Sequence, residues 1–193
     1  MRLRTSETEI RELLIAWVFI SLAFSFAIGS GNLLLSMVIS LSTIGPAFIF
    51  HELAHKVVAQ RYGCWAEFRM SLKMLFFAVV IAYFSAIVFA APGAVMISGQ
   101  VTREENGKIS ISGAMTNLLM AGIFASIALL SSNSFSLLYQ IGRFGAMINA
   151  WIAAFNMIPF GPLDGKKVLA WDKSAYIATV SLAIGAIFGT GLL

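Results

Sequence analysis

The residues best suited to chemistry lie in one short stretch, "FHELAHK", at positions 50–56. It holds the only two histidines of the chain, His51 and His55, with Glu52 directly after the first. Positions four apart on a helix share a face and lie about 6 Å apart along the axis, so the two imidazoles can hold one zinc ion. The glutamate lies beside that face, where it can act as a base on water, as in the H-E-x-x-H pattern of zinc hydrolases.

An alternative is that the two histidines are structural hydrogen-bonding residues. This alternative is weaker here because the stretch lies in one of the most apolar regions of the chain, where a buried His-Glu-His cluster is costly without an ion. A catalytic zinc needs a third protein ligand, and the chain has no third histidine. The single cysteine, Cys64, and the carboxylates further along the chain remain open as that ligand.

Asp164 stands apart from the other carboxylates because it lies in "IPFGPLDGKK", where an apolar segment ends. Pro159 and Gly165 in that stretch predict irregular backbone, and irregular backbone at membrane depth indicates a protein-lined or water-filled cavity. The alternative is that Asp164 caps the N-terminus of a helix, and the residues alone leave both roles open. The other carboxylates downstream of the histidines lie in polar or charged segments: Glu67, Glu104, Glu105 and Asp172.

The composition indicates a protein that is integral to a membrane. Of the 193 residues, 59% are hydrophobic and only 11% are charged, whereas a soluble domain carries about 25% charged residues. The net charge of +4 needs no nucleic acid to explain it, because basic cytoplasmic loops are ordinary in membrane proteins. We expect one domain over 1–193, an uncleaved first span and, with one cysteine, no internal disulfide.

The apolar segments predict an all-α polytopic membrane protein with five to six transmembrane helices. We predict spans at 13–29, 33–62, 113–130, 137–158 and 174–193, and a further apolar segment at 74–91. The stretch 95–112 alternates in places and contains Asn106-Gly107, which predicts a short membrane-associated β-hairpin.

The depth of the two metal-binding motifs decides the role of 74–91. If this segment crossed the membrane fully, His51 and Asp164 would lie toward opposite faces and could not share a metal, so we predict a re-entrant segment. This topology puts twelve of the 13 Lys and Arg residues on one face, with Arg143 inside a span as the exception, which is the positive-inside pattern. We therefore expect the site toward the cytoplasmic side of the cell membrane, reached by water through a polar channel lined by Lys56 and "GPLDGKK".

Three motifs occur in order along the chain: "HELAH", then "GAMTN" at Gly113 to Asn117, then "NMIPFGPLDG" at 156–165. In this combination the chain resembles the site-2 protease family of intramembrane zinc metalloproteases. It is most similar to prokaryotic, archaeal-type members without a PDZ insertion. Two positions depart from the family pattern, since Ala114 replaces a proline of the middle motif and Lys166 replaces the second glycine of the last.

The resemblance implies that His51, His55 and Asp164 bind one zinc ion per chain and that Glu52 is the general base. It implies hydrolysis of a peptide bond within or near a transmembrane segment of membrane-protein substrates, as in regulated intramembrane proteolysis. The expected partners are such substrates and the lipid bilayer, not nucleic acid, and the oligomeric state is not indicated. A metal-binding membrane transporter that uses the same ligands is the alternative function.

The resemblance also points to polar and backbone-shaping residues near the site. Asn117 is interpreted either as a substrate-binding residue or as an interhelical hydrogen-bonding residue, and Asn156 as a structural residue that ties the turn containing Pro159 and Gly165. A transmembrane substrate must unwind locally before cleavage, because its helix sheathes the peptide bonds. We therefore expect a free edge of the predicted hairpin to add the extended substrate as a strand.

Overall fold

The computed structural model describes residues 3–86, 88, 92–131, 133–134 and 136–191. Within them the chain forms seven helices and two strands, in the order α1 (Glu7–Ile28), α2 (Leu33–Arg61), β1 (Trp65–Met70), α3 (Leu72–Ser85), β2 (Gly93–Ser98), α4 (Arg103–Leu130), α5 (Leu137–Asn156), α6 (Asp164–Trp171) and α7 (Lys173–Thr190). Four of these helices, α1, α2, α4 and α7, are long and apolar enough to cross a membrane. A mostly helical membrane protein with a small antiparallel sheet is therefore confirmed.

The position predicted for the β-hairpin is wrong. Strand β1 pairs antiparallel with β2, in a register that runs from Trp65 opposite Ser98 to Met70 opposite Gly93. Helix α3 lies between the two strands in sequence, so the strands are not joined by a tight turn. The partner strand of β2 therefore comes from the segment before α3, and not from the residues after Asn106 as the sequence pattern predicts.

The second half of the predicted hairpin is the beginning of α4. Thr102 and Glu105 form a capping box, in which each side chain bonds the backbone N–H of the other residue, and this arrangement starts a helix. Gly107 lies in the helix because it packs against α6, where an added Cβ would lie 2.4 Å from the Cβ of Trp171. The Asn-Gly pair thus reflects close helix packing and not a turn.

Two apolar elements bear on the number of spans. Helix α3 has 14 residues, or about 21 Å of rise, which is shorter than the roughly 30 Å hydrocarbon core. Residues 87 and 89–91 of the predicted re-entrant segment, and 192–193 of the predicted last span, lie outside the described residues. Helix α5 has 20 residues, but it is not among the four apolar candidates because it contains Gln140, Arg143 and Asn149. The count of five spans and the re-entrant topology stay predictions.

Helix α2 carries the histidines and runs without a break through Pro46. The indole N–H of Trp17 on α1 donates to the carbonyl of Leu41, at 3.0 Å, in the turn next to that proline. Gly45 lets the indole lie against the helix, since a Cβ there would be 1.9 Å from two indole ring atoms. Helix α1 therefore packs against α2 in the part of the helix that precedes the histidines.

Carboxylates of α1 also hold the outer edge of β1. Glu9 accepts from the N–H of Phe68 and Glu12 from the N–H of Met70, each at 2.9 Å. Residues two apart on a strand point their N–H groups to the same side, so these two donors lie on the edge away from β2. The first turns of α1 thus fix the sheet against the helical bundle.

Lys56 does not line a channel to the metal site, contrary to the sequence-based expectation. Its side chain is 2% exposed and forms an ion pair with Glu9, which is fully buried. Its ammonium group also donates to the hydroxyl of Thr5 at 2.9 Å. Because a buried charge needs a partner, the ion pair of Lys56 with Glu9 joins α2 to α1.

Candidate active site

Two hydrogen bonds orient the histidine rings of α2. The Nδ1–H of His51 donates to Oδ1 of Asn117 at 2.6 Å, and the Nδ1–H of His55 donates to the carbonyl of Ile109 at 2.8 Å. Both acceptors lie on α4. Since an amide or peptide oxygen can only accept, each ring carries its proton on Nδ1 and leaves Nε2 as the ligand atom.

The two Nε2 atoms and one oxygen of Asp164 meet at one point. The Nε2 atoms are 3.0 Å apart, and Oδ2 of Asp164 lies 3.4 Å from that of His51 and 3.0 Å from that of His55. Ligand atoms around a tetrahedral zinc ion, with bonds of 2.0–2.1 Å, are about 3.3 Å apart. The two nitrogen lone pairs face each other, which is unfavourable without a cation between them. The donor set therefore fits zinc, and all three residues are buried.

Gly113 on α4 leaves the space in which these rings meet. A Cβ at this position would lie 2.5 Å from Cε1 of His55 and 2.6 Å from Cε1 of His51. Any other residue would therefore displace the rings from these positions. The glycine that opens the "GAMTN" motif is thus a requirement of the histidine pair.

Asp164 is delivered by the irregular segment between α5 and α6. It is the first residue of α6, and the N-cap position belongs to Leu163, so the interpretation of Asp164 as the helix cap is wrong. Gly165 permits α6 to start here because a Cβ would lie 2.1 Å from the carbonyl oxygen of Met157, at the end of α5.

The two oxygens of Asp164 have different neighbours. Oδ2 faces the Nε2 atoms of His51 and His55. Its second oxygen, Oδ1, lies 3.6 Å from Nζ of Lys167, a half-exposed side chain one turn further along α6. One oxygen therefore faces the histidines and the other faces a cation.

Glu52 lies next to the histidines and is held by the sheet. Its Oε2 accepts from the backbone N–H of Val95 on β2, at 3.0 Å. Val95 is opposite Phe68 in the register, and the N–H of Phe68 points to α1, so this pair exchanges no ladder hydrogen bonds. The N–H of Val95 is therefore on the outer edge of β2, and that edge runs beside Glu52.

The contacts of Asn117 are those of an interhelical hydrogen-bonding residue. Its side-chain oxygen accepts from His51. Its amide nitrogen donates to the carbonyl of Ala47 on α2, at 3.0 Å, and to Oδ1 of Asn149 on α5, at 2.9 Å. The side chain is fully buried. Asn117 thus links three helices at the depth of the metal ligands, and a substrate-binding role for it stays a prediction.

The described contacts of the remaining sequence-based candidates do not include the residues of the metal-ligand cluster. Asn156 donates to the carbonyl of Ile152 in its own helix, at 3.0 Å, so its described contact does not tie the turn that follows. Pro159 is exposed in that turn. Cys64 is buried beneath the sheet and does not belong to the cluster of possible metal ligands.

Sequence reasoning missed several groups that build the site. Gly113 and Asn149 had a signal, since one opens a recognised motif and the other is a polar residue in an apolar helix. The carbonyl of Ile109 and the N–H of Val95 had none, because backbone groups carry no residue identity.

Comparison with known proteins finds relatives of this chain among zinc metalloproteases. The chain is 43% identical over 170 residues to MJ0611 of Methanocaldococcus jannaschii, a protein classed by name among zinc metalloproteases, and the match covers 88% of this chain and 87% of that protein. It is 23% identical to the zinc metalloprotease MJ0392 of the same organism over 70% of this chain and 35% of the relative. It is 25% identical to Rip3 of Mycobacterium tuberculosis, also classed by name as a zinc metalloprotease, over 64% of this chain and 28% of the relative.

No family model matches the chain, and no solved structure matches it. The level of identity to MJ0611 over most of both chains nevertheless defines the class as zinc metalloproteases, and the apolar helices make it a membrane protein. Within that class, the chain belongs to the site-2 protease family that its three motifs indicated. Zinc is accordingly its metal.

Proposed function

We propose that this protein is an intramembrane protease that hydrolyses a peptide bond within or next to a transmembrane segment of membrane-protein substrates. In this proposal His51, His55 and Asp164 hold the zinc ion and Glu52 is the general base. The observation that carries it is the meeting of three buried ligand atoms, with separations of 3.0–3.4 Å, inside a bundle of apolar helices.

The division of roles follows from the contacts of each side chain. A zinc ion held by these residues would supply a Lewis acid, able to polarise the scissile carbonyl group and to lower the pKa of water. Asn117 and the carbonyl of Ile109 keep both Nε2 atoms directed at the position of the metal. Glu52, held by the N–H of Val95, takes a proton from water and transfers it to the amine nitrogen of the leaving peptide.

The outer edge of β2 is our proposed site for the unwound part of a substrate. A helix that unwinds in lipid frees backbone groups that lipid cannot satisfy, and a strand edge offers the matching donors and acceptors. Only the edge of β2 beside Glu52 is suited to this role, because α1 occupies the outer edge of β1. This edge replaces the one we expected from the hairpin at 95–112.

A proline substitution tests the edge. By the alternation of the register, Ile97 points its N–H outward as Val95 does, so Ile97→Pro removes an edge donor without removing a ladder bond. We expect KM for a transmembrane substrate to rise, while Ile97→Ala, which keeps the N–H, leaves KM near its original value. Equal KM values for both variants would contradict strand addition.

We further propose that the protein lies in the cell membrane with its site toward the cytoplasm. Support comes from the cationic side chains near the ends of the elements that carry the ligands, among them Arg61 at the end of α2 and Lys166 on α6. Labelling of single cysteines, introduced at Lys166 and at Ser30 in a Cys64→Ser background, by a membrane-impermeant reagent in intact cells tests the orientation. Labelling at Ser30 alone is expected, and labelling at Lys166 alone would reverse the assignment.

The central experiment is proteolysis of a transmembrane substrate by the purified protein. Glu52→Gln is expected to reduce cleavage by about 10²–10⁴-fold with zinc content unchanged, and a chelator is expected to abolish cleavage. Glu104→Gln is the matched control, because Glu104 is an exposed glutamate on α4. Full cleavage by Glu52→Gln would remove Glu52 from the mechanism. Zinc-dependent cleavage of soluble peptides but not of transmembrane substrates would refute the intramembrane assignment alone.

A further inference from the structure

A second cavity, distinct from the metal site, lies between α1, α2, α5 and α7. Its volume is about 470 Å³, and none of the metal ligands lines it. Helix α5 supplies one wall with a stripe of side chains at helical spacing: Gln140, Arg143, Phe144, Met147 and Trp151. Asn149, which bonds Asn117, faces the other way into the bundle. The cavity is therefore on the opposite side of α5 from the catalytic network.

The length and the lining of the cavity suit a hydrocarbon chain. From Gln140 to Trp151 the wall rises about 16 Å at 1.5 Å per residue. The wall beyond Arg143 is apolar and aromatic, and an extended acyl chain is much narrower than a helix, which is about 10 Å across.

Arg143 gives the cavity a charged end. It is exposed in the cavity wall, six residues into α5, and it forms no ion pair with any other residue in the part of the chain that the structure describes. A guanidinium in an apolar span is costly unless it meets an anion. Its planar donors match the oxygens of a phosphate in a bidentate manner. Its long side chain can reach toward the membrane surface at the start of α5.

We propose that this cavity binds one anionic phospholipid, with the phosphate at Arg143 and an acyl chain along Met147 and Trp151. Two polar residues help to make α5 less apolar than the neighbouring helices. In this proposal Arg143 binds the phosphate of the lipid, while Asn149 accepts a hydrogen bond from Asn117. The lipid fills the seam between α5 and α7, where Ile187 and Thr190 of α7 complete the wall. The proposal does not depend on the protease activity.

Native mass spectrometry of the full-length protein, purified in detergent, tests the site. The probes are phosphatidylglycerol and phosphatidylcholine with identical acyl chains. We expect one molecule of phosphatidylglycerol to bind more tightly than phosphatidylcholine, and Arg143→Gln to weaken phosphatidylglycerol binding by about tenfold or more, the range of a charged hydrogen bond. Lys73→Gln, which removes an exposed cation at the start of α3, is the matched control and should leave the preference intact.

A second variant tests the apolar half of the cavity. Met147→Trp fills the space along α5 and should weaken the binding of both lipids, whereas Arg143→Gln should weaken only the anionic one. Equal binding of the two lipids by the unaltered protein, or unchanged phosphatidylglycerol binding in Arg143→Gln, would overturn the proposal. Displacement of bound lipid by an equimolar transmembrane peptide would also overturn it, since the cavity would then be a docking site for a helix. Zinc content of each variant verifies that the bundle is folded.

Discussion

Replacing Gly113 by alanine tests whether the two imidazoles are as tightly confined as the geometry indicates. The added Cβ would lie 2.5–2.7 Å from atoms of both rings, whereas carbon atoms in contact prefer about 3.5–4.0 Å. Each ring must therefore move by about 1 Å. Metal–ligand distances tolerate only about 0.2 Å, so the required movement is several times what zinc can accept.

The expected result is a loss of zinc affinity of about 100-fold or more, equivalent to about 2.7 kcal/mol. Zinc affinity is measured by competition with a chromophoric chelator in detergent, and cleavage of a transmembrane substrate should fall in parallel. Gly122→Ala is the matched control on the same helix, because nothing lies within 4 Å of a Cβ at that position. In a helix alanine is favoured over glycine by about 0.5–1 kcal/mol, so this control should bind zinc normally and be slightly more stable.

The outcome that would refute the reasoning is a folded Gly113→Ala protein with unchanged zinc affinity. Helical content from circular dichroism separates loss of the site from loss of the fold. A variant that has normal helicity and lacks zinc supports the confinement of the rings, and one that has normal helicity and keeps zinc contradicts it.

Two further substitutions probe the groups that surround the ligands. Val95→Pro removes the N–H that holds Glu52 while leaving the strand ladder intact. We expect kcat to fall by about tenfold or more, as for a lost hydrogen bond to a charged group, with zinc content unchanged. An unaltered kcat would show that Glu52 needs no support from β2. Lys167→Met removes the cation beside Oδ1 of Asp164 and should weaken zinc binding by up to about tenfold, a modest effect because the lysine is half-exposed. Lys166→Met, which removes the adjacent exposed lysine, is its control, and equal affinities of the two variants would remove Lys167 from the site.

The cluster of candidate metal ligands was predictable because metal-binding chemistry restricts residue type and spacing together. His51 and His55 are the only histidines and lie one helical turn apart, and Asp164 lies where proline and glycine interrupt an apolar segment. Their meeting in the structure agrees with the expectation that they share one metal ion. The cap interpretation of Asp164 was wrong because the irregular turn ends one residue earlier, at Leu163.

The sheet was not predictable in the same way, because local patterns competed with long-range packing. Asn106-Gly107 suggests a turn, but the capping box at Thr102 and the close packing of Gly107 on Trp171 place both residues in α4. The true partner of β2 is a polar segment separated from it by a whole helix. Pairing over such a distance leaves no local sequence signal, and the same is true of the backbone groups that hold Glu52 and His55.

The carboxylates at the start of α1 have a consequence for how the protein avoids unwanted association. A sheet of two strands exposes two rows of unpaired backbone groups, and each row can recruit foreign chains and seed aggregation. Glu9 and Glu12 cover the row on β1, so any polypeptide that joins the sheet must do so at β2. The first helix therefore blocks one edge of the sheet, and it limits edge pairing to the position where the joined chain would lie beside Glu52, the proposed general base.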